Sequence, residues 1–159
     1  SFISKIIKKA LVSKIKFFKN DVKEKNNRLM LNFGHTFAHA IESSLDNNLS
    51  NKAEILRHGE AVGLGLLCEI YYKNGKNKIF HQIKNLLDLY SLPTNLKFIK
   101  MNKSLLKKDI FKYIFLDKKK IGKYPRLINL KKIGVSNISE MKNNIKIKKT
   151  IDQVIFDEG

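Results

Sequence analysis

Residues 32–42 read Asn-Phe-Gly-His-Thr-Phe-Ala-His-Ala-Ile-Glu, and residues 58–62 read His-Gly-Glu-Ala-Val. Around the first stretch, Leu29, Phe33, Phe37, Ala40 and Ile41 recur at helical spacing, which predicts one continuous helix over 24–45. At about 100° per residue, Glu24, Arg28, Asn32, His35, His39 and Glu42 then share an arc of about 80°. Two His at i and i+4 on one helix face are half of a common transition-metal site. His58 adds a third imidazole at the head of the next helix. On residue types alone, His35, His39 and His58 make a three-imidazole site with an open water position. A solvated face and a buried hydrogen-bond network without catalysis are the competing readings.

The distribution of Lys weighs against a solvated face. The chain has 29 Lys among 159 residues, yet residues 26–72 contain only Lys52. Faces that meet water elsewhere in the chain are built from Lys and Asn, so this stretch is buried or chemically constrained. The second motif opens a segment, about 58–72, that is apolar on every side (Ala61, Val62, Leu64, Leu67, Ile70) and predicts a buried helix. Gly59, Gly63 and Gly65 weaken it as a helix and are explained by close approach to a neighbouring backbone or ligand.

Outward from these motifs the pattern stays helical. Ile3, Ile6, Ile7, Ala10, Leu11 and Ile15 predict an amphipathic helix over 2–18. A cationic amphipathic N-terminus also suits a targeting segment, but no small-residue cleavage site follows, which leaves a domain helix. Asn74-Gly75 breaks the chain, 78–90 predicts a further helix ending before Pro93, and Ser104 caps one over 105–115. Arg126–Leu130 alternates like a strand, with its return near Ile133–Val135, and Ile151–Phe156 predicts a closing helix. His81, alone on a Lys-rich helix, reads as a surface residue. The expected fold is mainly α with a short β-hairpin near 126–135, in one domain spanning 1–159.

The formal net charge is +18. Only Arg28, Arg57 and Arg126 are Arg, whereas readers of phosphate and guanine favour the planar Arg fork. Lys, Asn and Ile together make 65 of the 159 residues, a bias towards A- and T-rich codons that accounts for the charge without a nucleic-acid partner. A basic nucleic-acid-binding module is kept as the alternative of a different class. No run of 18 apolar residues offers a membrane span. The single Cys68 excludes a disulfide framework and a paired-cysteine zinc site, and points to a reducing, cytoplasmic setting. Ser at position 1, where a complete chain starts with Met, fits a piece of a longer protein.

The two motifs together resemble the signature of the 3-dehydroquinate synthase family. Lys14, Asp21, Glu24 and Arg28 upstream match it as well, as do Leu92-Pro93, Asp117-Lys118-Lys119, Arg126-Leu127-Ile128 and Ile133-Gly134 downstream. The likeness covers nearly the whole chain but only the C-terminal half of that enzyme. It implies the helical C-terminal domain of a two-domain fold, with the N-terminal NAD-binding domain absent from this chain. It further implies a phosphate-eliminating lyase of the shikimate pathway to aromatic amino acids, converting 3-deoxy-D-arabino-heptulosonate 7-phosphate to 3-dehydroquinate with Zn2+ (or Co2+) and NAD. In the resemblance His35 and His58 are metal ligands, the third being a Glu this chain lacks, and His39 assists proton transfer near the leaving phosphate. Lys14, Arg28, Asn32, Lys118 and Lys119 match substrate-binding positions, with Arg28 and Asn32 among the catalytic set. The expected partner is a phosphorylated sugar acid, with no nucleic acid and no membrane, and a homodimer in the full-length enzyme. Another sugar phosphate cyclase on the same scaffold is the nearer alternative. Two departures from the family pattern are Ala38 in place of a usual Gly and a long segment between Glu42 and His58.

Overall fold

The computed structural model describes residues 1–23, 27–48, 55–116 and 124–157. The chain divides into two compact units, Ser1–Asn32 and Phe33–Gly159.

In the first unit α1 (Phe2–Asn20) opens with the Ser1 hydroxyl accepting from the Ser4 N–H at 3.3 Å. Its predicted apolar stripe, including Ile3, Ile7, Leu11 and Ile15, is exposed. The chain turns at Asp21, whose buried carboxylate accepts the Arg28 N–H at 3.2 Å. A 3-10 helix, Asn27–Asn32, follows.

The expected continuous helix over 24–45 does not form. The 3-10 helix ends at Asn32, Phe33 and Gly34 form a turn, and Gly34 takes φ +83°. That left-handed conformation cannot sit inside an α-helix, and it is open to Gly because Gly has no Cβ. A helical wheel therefore cannot carry Arg28 and Asn32 onto the face of His35.

In the second unit α2 runs His35–Asn48, α3 His58–Asn74, α4 Lys78–Leu89 and α5 Lys103–Leu116. The hairpin of β1 (Arg126–Lys132) and β2 (Val135–Glu140) follows, then α6 (Asn144–Thr150) running into a π-helical turn, Ile151–Ile155. The buried helix α3 lies at the centre, in contact with α2, α4, β1 and α6, and α5 packs on α2. Phe37, Ile41, Leu64, Leu67, Ile110 and Ile114 fill the core between them.

Three local expectations are corrected. α5 is capped by Asn102, whose side-chain oxygen accepts the Leu105 N–H at 3.1 Å, while Ser104 lies within the helix. Asn102→Ala is accordingly expected to cost about 1 kcal/mol in urea denaturation, and Ser104→Ala only a few tenths. The return strand begins where it was expected to end, at Val135. Ile133–Gly134 is instead the turn, with Gly134 at φ +84°, and antiparallel pairing joins Ile128 to Ile138 and Arg126 to Glu140. The closing element starts earlier than Ile151, because Asn143 caps α6 by accepting the Lys146 N–H at 2.9 Å.

Of the three α3 glycines, Gly65 makes the backbone approach expected of it. A Cβ there would fall on the Gly34 carbonyl oxygen and lie 3.1 Å from the Ala38 nitrogen. At Gly63 it would meet only the Leu87 side chain, at 3.2 Å, and at Gly59 it would meet nothing within 4 Å. Close approach of a neighbouring backbone therefore does not explain Gly59. Ala38 is fully buried at the same crossing.

Candidate functional site

Helix α2 begins at His35 immediately after the Gly34 turn, so His35, His39 and Glu42 lie on one face at i, i+4 and i+7. Helix α3 begins at His58, where Glu60 reaches back to accept the Arg57 N–H at 2.8 Å. The carboxylate of the His-Gly-Glu motif thus helps to cap its own helix.

The α2–α3 packing gathers three imidazoles. Ring centroids are 5.6 Å apart for His35 and His39, 5.5 Å for His35 and His58, and 6.3 Å for His39 and His58. Two imidazoles bound to one tetrahedral ion through nitrogens about 2 Å from it have centroids roughly 5 Å apart, a spacing that His35 approaches with His58 and with His39 alike.

Hydrogen bonds separate the three. His35 Nδ1 lies 3.3 Å from the Phe33 carbonyl oxygen, and His58 Nδ1 lies 2.9 Å from Glu42 Oε1. A carbonyl or carboxylate oxygen only accepts, so both contacts favour a proton on Nδ1 of the ring. That is the tautomer of a ligating imidazole held by an outer partner. Among the described residues His39 has ring contacts with His35 and His58 and no hydrogen bond. Also among the described residues, no group of three or more His, Cys, Asp or Glu is arranged to hold a metal ion. The three-imidazole reading gains no support from this.

Sequence reasoning missed Glu69. It is fully buried on α3, and its oxygens accept the Gly34 N–H at 3.0 Å and the Ile128 N–H at 2.7 Å, with the Thr36 backbone a further donor. Burial pushes its pKa up, from about 4.5 to about 8, against the opposing pull of those N–H groups. The available signal was a lone carboxylate in the apolar run Leu66–Ile70. Beside it the Thr36 hydroxyl donates to the Arg126 carbonyl at 2.7 Å, so β1 is tied to the start of α2 through Thr36 and to α3 through Glu69. Burial, and secondarily the Glu69 charge, raise the Cys68 thiol well above its usual range, which makes it a poor nucleophile.

Lys14, Arg28 and Asn32 lie in the first unit. Lys14 is exposed on α1, and Asn32 ends the 3-10 helix. The Arg28 guanidinium donates to the Val22 carbonyl at 2.7 Å and stacks 4.7 Å from the Phe18 ring centroid. Lys118, Lys119 and Glu24 lie outside the described residues. His81 is exposed on α4, edge-on to Phe80, as a surface residue would be. No described helix is long and apolar enough to cross a membrane.

The family model for the C-terminal part of 3-dehydroquinate synthase matches residues 1–120. Among curated proteins, the chain is 36% identical over 155 residues to the 3-dehydroquinate synthase of Dictyoglomus turgidum, covering 92% of this chain and 40% of that protein. It is 37% identical over 144 residues to that of Buchnera aphidicola subsp. Cinara cedri, covering 87% and 36%. With the 3-dehydroquinate synthase of Thermoanaerobacter pseudethanolicus the identity is 34% over 147 residues, covering 90% and 38%. The chain therefore spans about 40% of the length of the curated relatives it matches.

Proposed function

This chain belongs to the family of the 3-dehydroquinate synthase C-terminal domain, and we propose that it supplies the metal-ligating and proton-transferring part of such a lyase. The reaction proposed is conversion of 3-deoxy-D-arabino-heptulosonate 7-phosphate to 3-dehydroquinate with release of phosphate. The observation that carries this is the pair His35 and His58, 5.5 Å apart at their centroids and each with Nδ1 engaged by an oxygen.

These two side chains fit a Zn2+ or Co2+ ion, to which they would present Nε2, with further ligands from outside the described residues. When bound, the ion would supply Lewis acidity towards a substrate hydroxyl. NAD fits nothing among the described residues: their sheet is a two-stranded hairpin, with no glycine-rich turn from strand into helix, so no step through NAD is derived.

The remaining roles are those the family resemblance implies, and the side-chain chemistry suits them. Glu42 holds the His58 ring, and the Phe33 carbonyl holds that of His35. His39, one turn beyond His35, takes up and returns a proton as phosphate leaves, acting as general acid and base through its imidazole. The Arg28 guanidinium, the Asn32 amide and the ammonium groups of Lys14, Lys118 and Lys119 bind the carboxylate and phosphate of an acidic substrate.

Zinc titration of the chain against a chromophoric chelator tests the ligand assignment. His35→Ala and His58→Ala are each expected to weaken binding at least tenfold, while His39→Ala leaves it within about twofold. Equal losses from all three would restore the three-imidazole site, and undiminished zinc in the His35/His58 double variant would remove the metal reading.

A further inference from the structure

We propose that Glu69 is a positioning residue: from α3 it closes the N-terminus of α2 and holds the peptide group whose carbonyl faces His35 Nδ1, so biasing the tautomer of that ring. The functional meaning of that tautomer rests on the reading of His35 as a metal ligand given above.

Helix α2 starts after Phe33-Gly34, neither of which offers a side-chain acceptor, so the first N–H groups of the helix need partners from elsewhere. Glu69 provides them from another helix. Its Oε1 accepts the Gly34 N–H at 3.0 Å, the Thr36 backbone is a second donor at this helix start, and its Oε2 accepts the Ile128 N–H from β1 at 2.7 Å. Burying a carboxyl group costs free energy unless it is hydrogen-bonded, and here both oxygens are occupied.

The Gly34 N–H and the Phe33 C=O belong to the same planar trans peptide, so they point in opposite directions. Fixing the N–H on Glu69 therefore fixes the carbonyl that faces His35 Nδ1 at 3.3 Å. Glu69 thus acts on the His35 ring through one rigid plane without touching it. The Gly34 φ of +83° and the packing of Gly34 against Val62 and Leu66 leave that plane little freedom to turn. His58 is held differently, by Glu42 on α2, and provides an internal control.

The test uses the ring nitrogen spectra of 15N-labelled chain above about pH 8, with its imidazoles neutral and the Glu69 carboxyl ionised, in the wild type and in Glu69→Gln. A Gln side chain keeps the volume but has one oxygen, so its NH2 must face an N–H donor. In the wild type His35 and His58 should both carry the proton on Nδ1. In Glu69→Gln the His35 population should move by at least several-fold towards Nε2–H, with His58 unchanged. An unchanged His35 in the folded variant, or an equal move of both rings, overturns the proposal. Should the variant not fold, hydrogen exchange of the wild type decides: the Gly34 amide should be protected as strongly as Ile41 inside α2, and exchange at the rate of a free loop amide overturns the proposal. Adding Zn2+ to the wild type tests the metal reading separately. If neither ring responds, that reading falls, while the tautomer result still judges Glu69.

Discussion

Gly65→Ala is expected to lower the thermal midpoint of the chain by roughly 10 °C or more, whereas Gly59→Ala, six residues earlier on α3, leaves it unchanged or slightly raised. The added methyl at position 65 would fall on the Gly34 carbonyl oxygen, with the Gly34 carbonyl carbon at 2.9 Å and the Ala38 nitrogen at 3.1 Å. All of these are backbone atoms, so no rotamer change relieves the contact. Gly34 cannot retreat easily, because a Cβ built on it would itself lie 2.7 Å from the Val62 carbonyl oxygen and 2.8 Å from the Leu66 nitrogen. The two helices would have to separate, opening the layer where Phe37, Ala38 and Ile41 are buried with Leu64, Leu67 and Cys68. Overpacking a core costs about 1–3 kcal/mol, and more where the obstacle is rigid. At about 2–4 °C per kcal/mol for a chain of this size, the upper end of that range gives the stated shift. At Gly59 a Cβ meets nothing within 4 Å, and Ala is the better helix former by up to about 1 kcal/mol. Gly63→Ala should fall between them, since Leu87 can turn aside. Circular dichroism melting of the three variants checks the order. Equal midpoints for positions 59 and 65 would remove the crossing as the reason for Gly65.

The stability of the chain is expected to fall by a few kcal/mol as pH rises from about 4.5 to about 8, and Glu69→Gln is expected to abolish most of that fall. Burial raises the Glu69 pKa from about 4.5 to about 8, so between these values the folded chain holds a proton that the unfolded chain releases. Stability therefore decreases with pH across this window, by about 1.4 kcal/mol per unit of displacement, and the contribution is complete only below about 4.5. The depressed carboxyls of Asp88, bonded to Lys84, and Asp157, bonded to Lys97, act with the opposite sign. Their contribution is lost as pH falls below the ordinary carboxylate range, so it does not overlap this window. Both are solvent-exposed pairs of small effect. Urea midpoints at pH 5, 6, 7 and 8 for the two proteins check the prediction. Parallel pH profiles would show that Glu69 keeps its ordinary pKa in the fold.

Elements that carry their own start and stop signals were legible in the chain. α1, α3 and α4 appear within about two residues of their expected bounds, because local periodicity, the Asn77 cap and the Gly75 stop are written in neighbouring residues. The 24–45 helix failed for a reason the wheel cannot represent. A Gly at position 34 reads as a tolerated weak point in a helical pattern, but its conformation is decided by α3, which leaves no space for a side chain there. The segment 135–150 was understated because Lys, Asn and Ile in alternation suit an exposed strand and a short helix equally.

In the site, the residue types selected His35, His39 and His58, and the resemblance separated His39 from the other two. In the structure an oxygen faces Nδ1 of His35 and of His58. Glu60 and Glu69 were passed over. One caps its own helix, and the other is visible only once α2, α3 and β1 are packed together.

By itself the sequence determined which chemistry is on offer: imidazoles at helical spacing, a Lys-poor apolar centre, and a motif pair specific enough to carry a family. Only the tertiary structure decided how those groups are held. The partner that orients His58 is sixteen residues away, and the carboxyl that anchors the peptide behind His35 is thirty-five residues away. Hydrogen bonds are made between atoms a few ångströms apart in space, and periodicity along a chain carries no information about which distant groups folding brings within that reach.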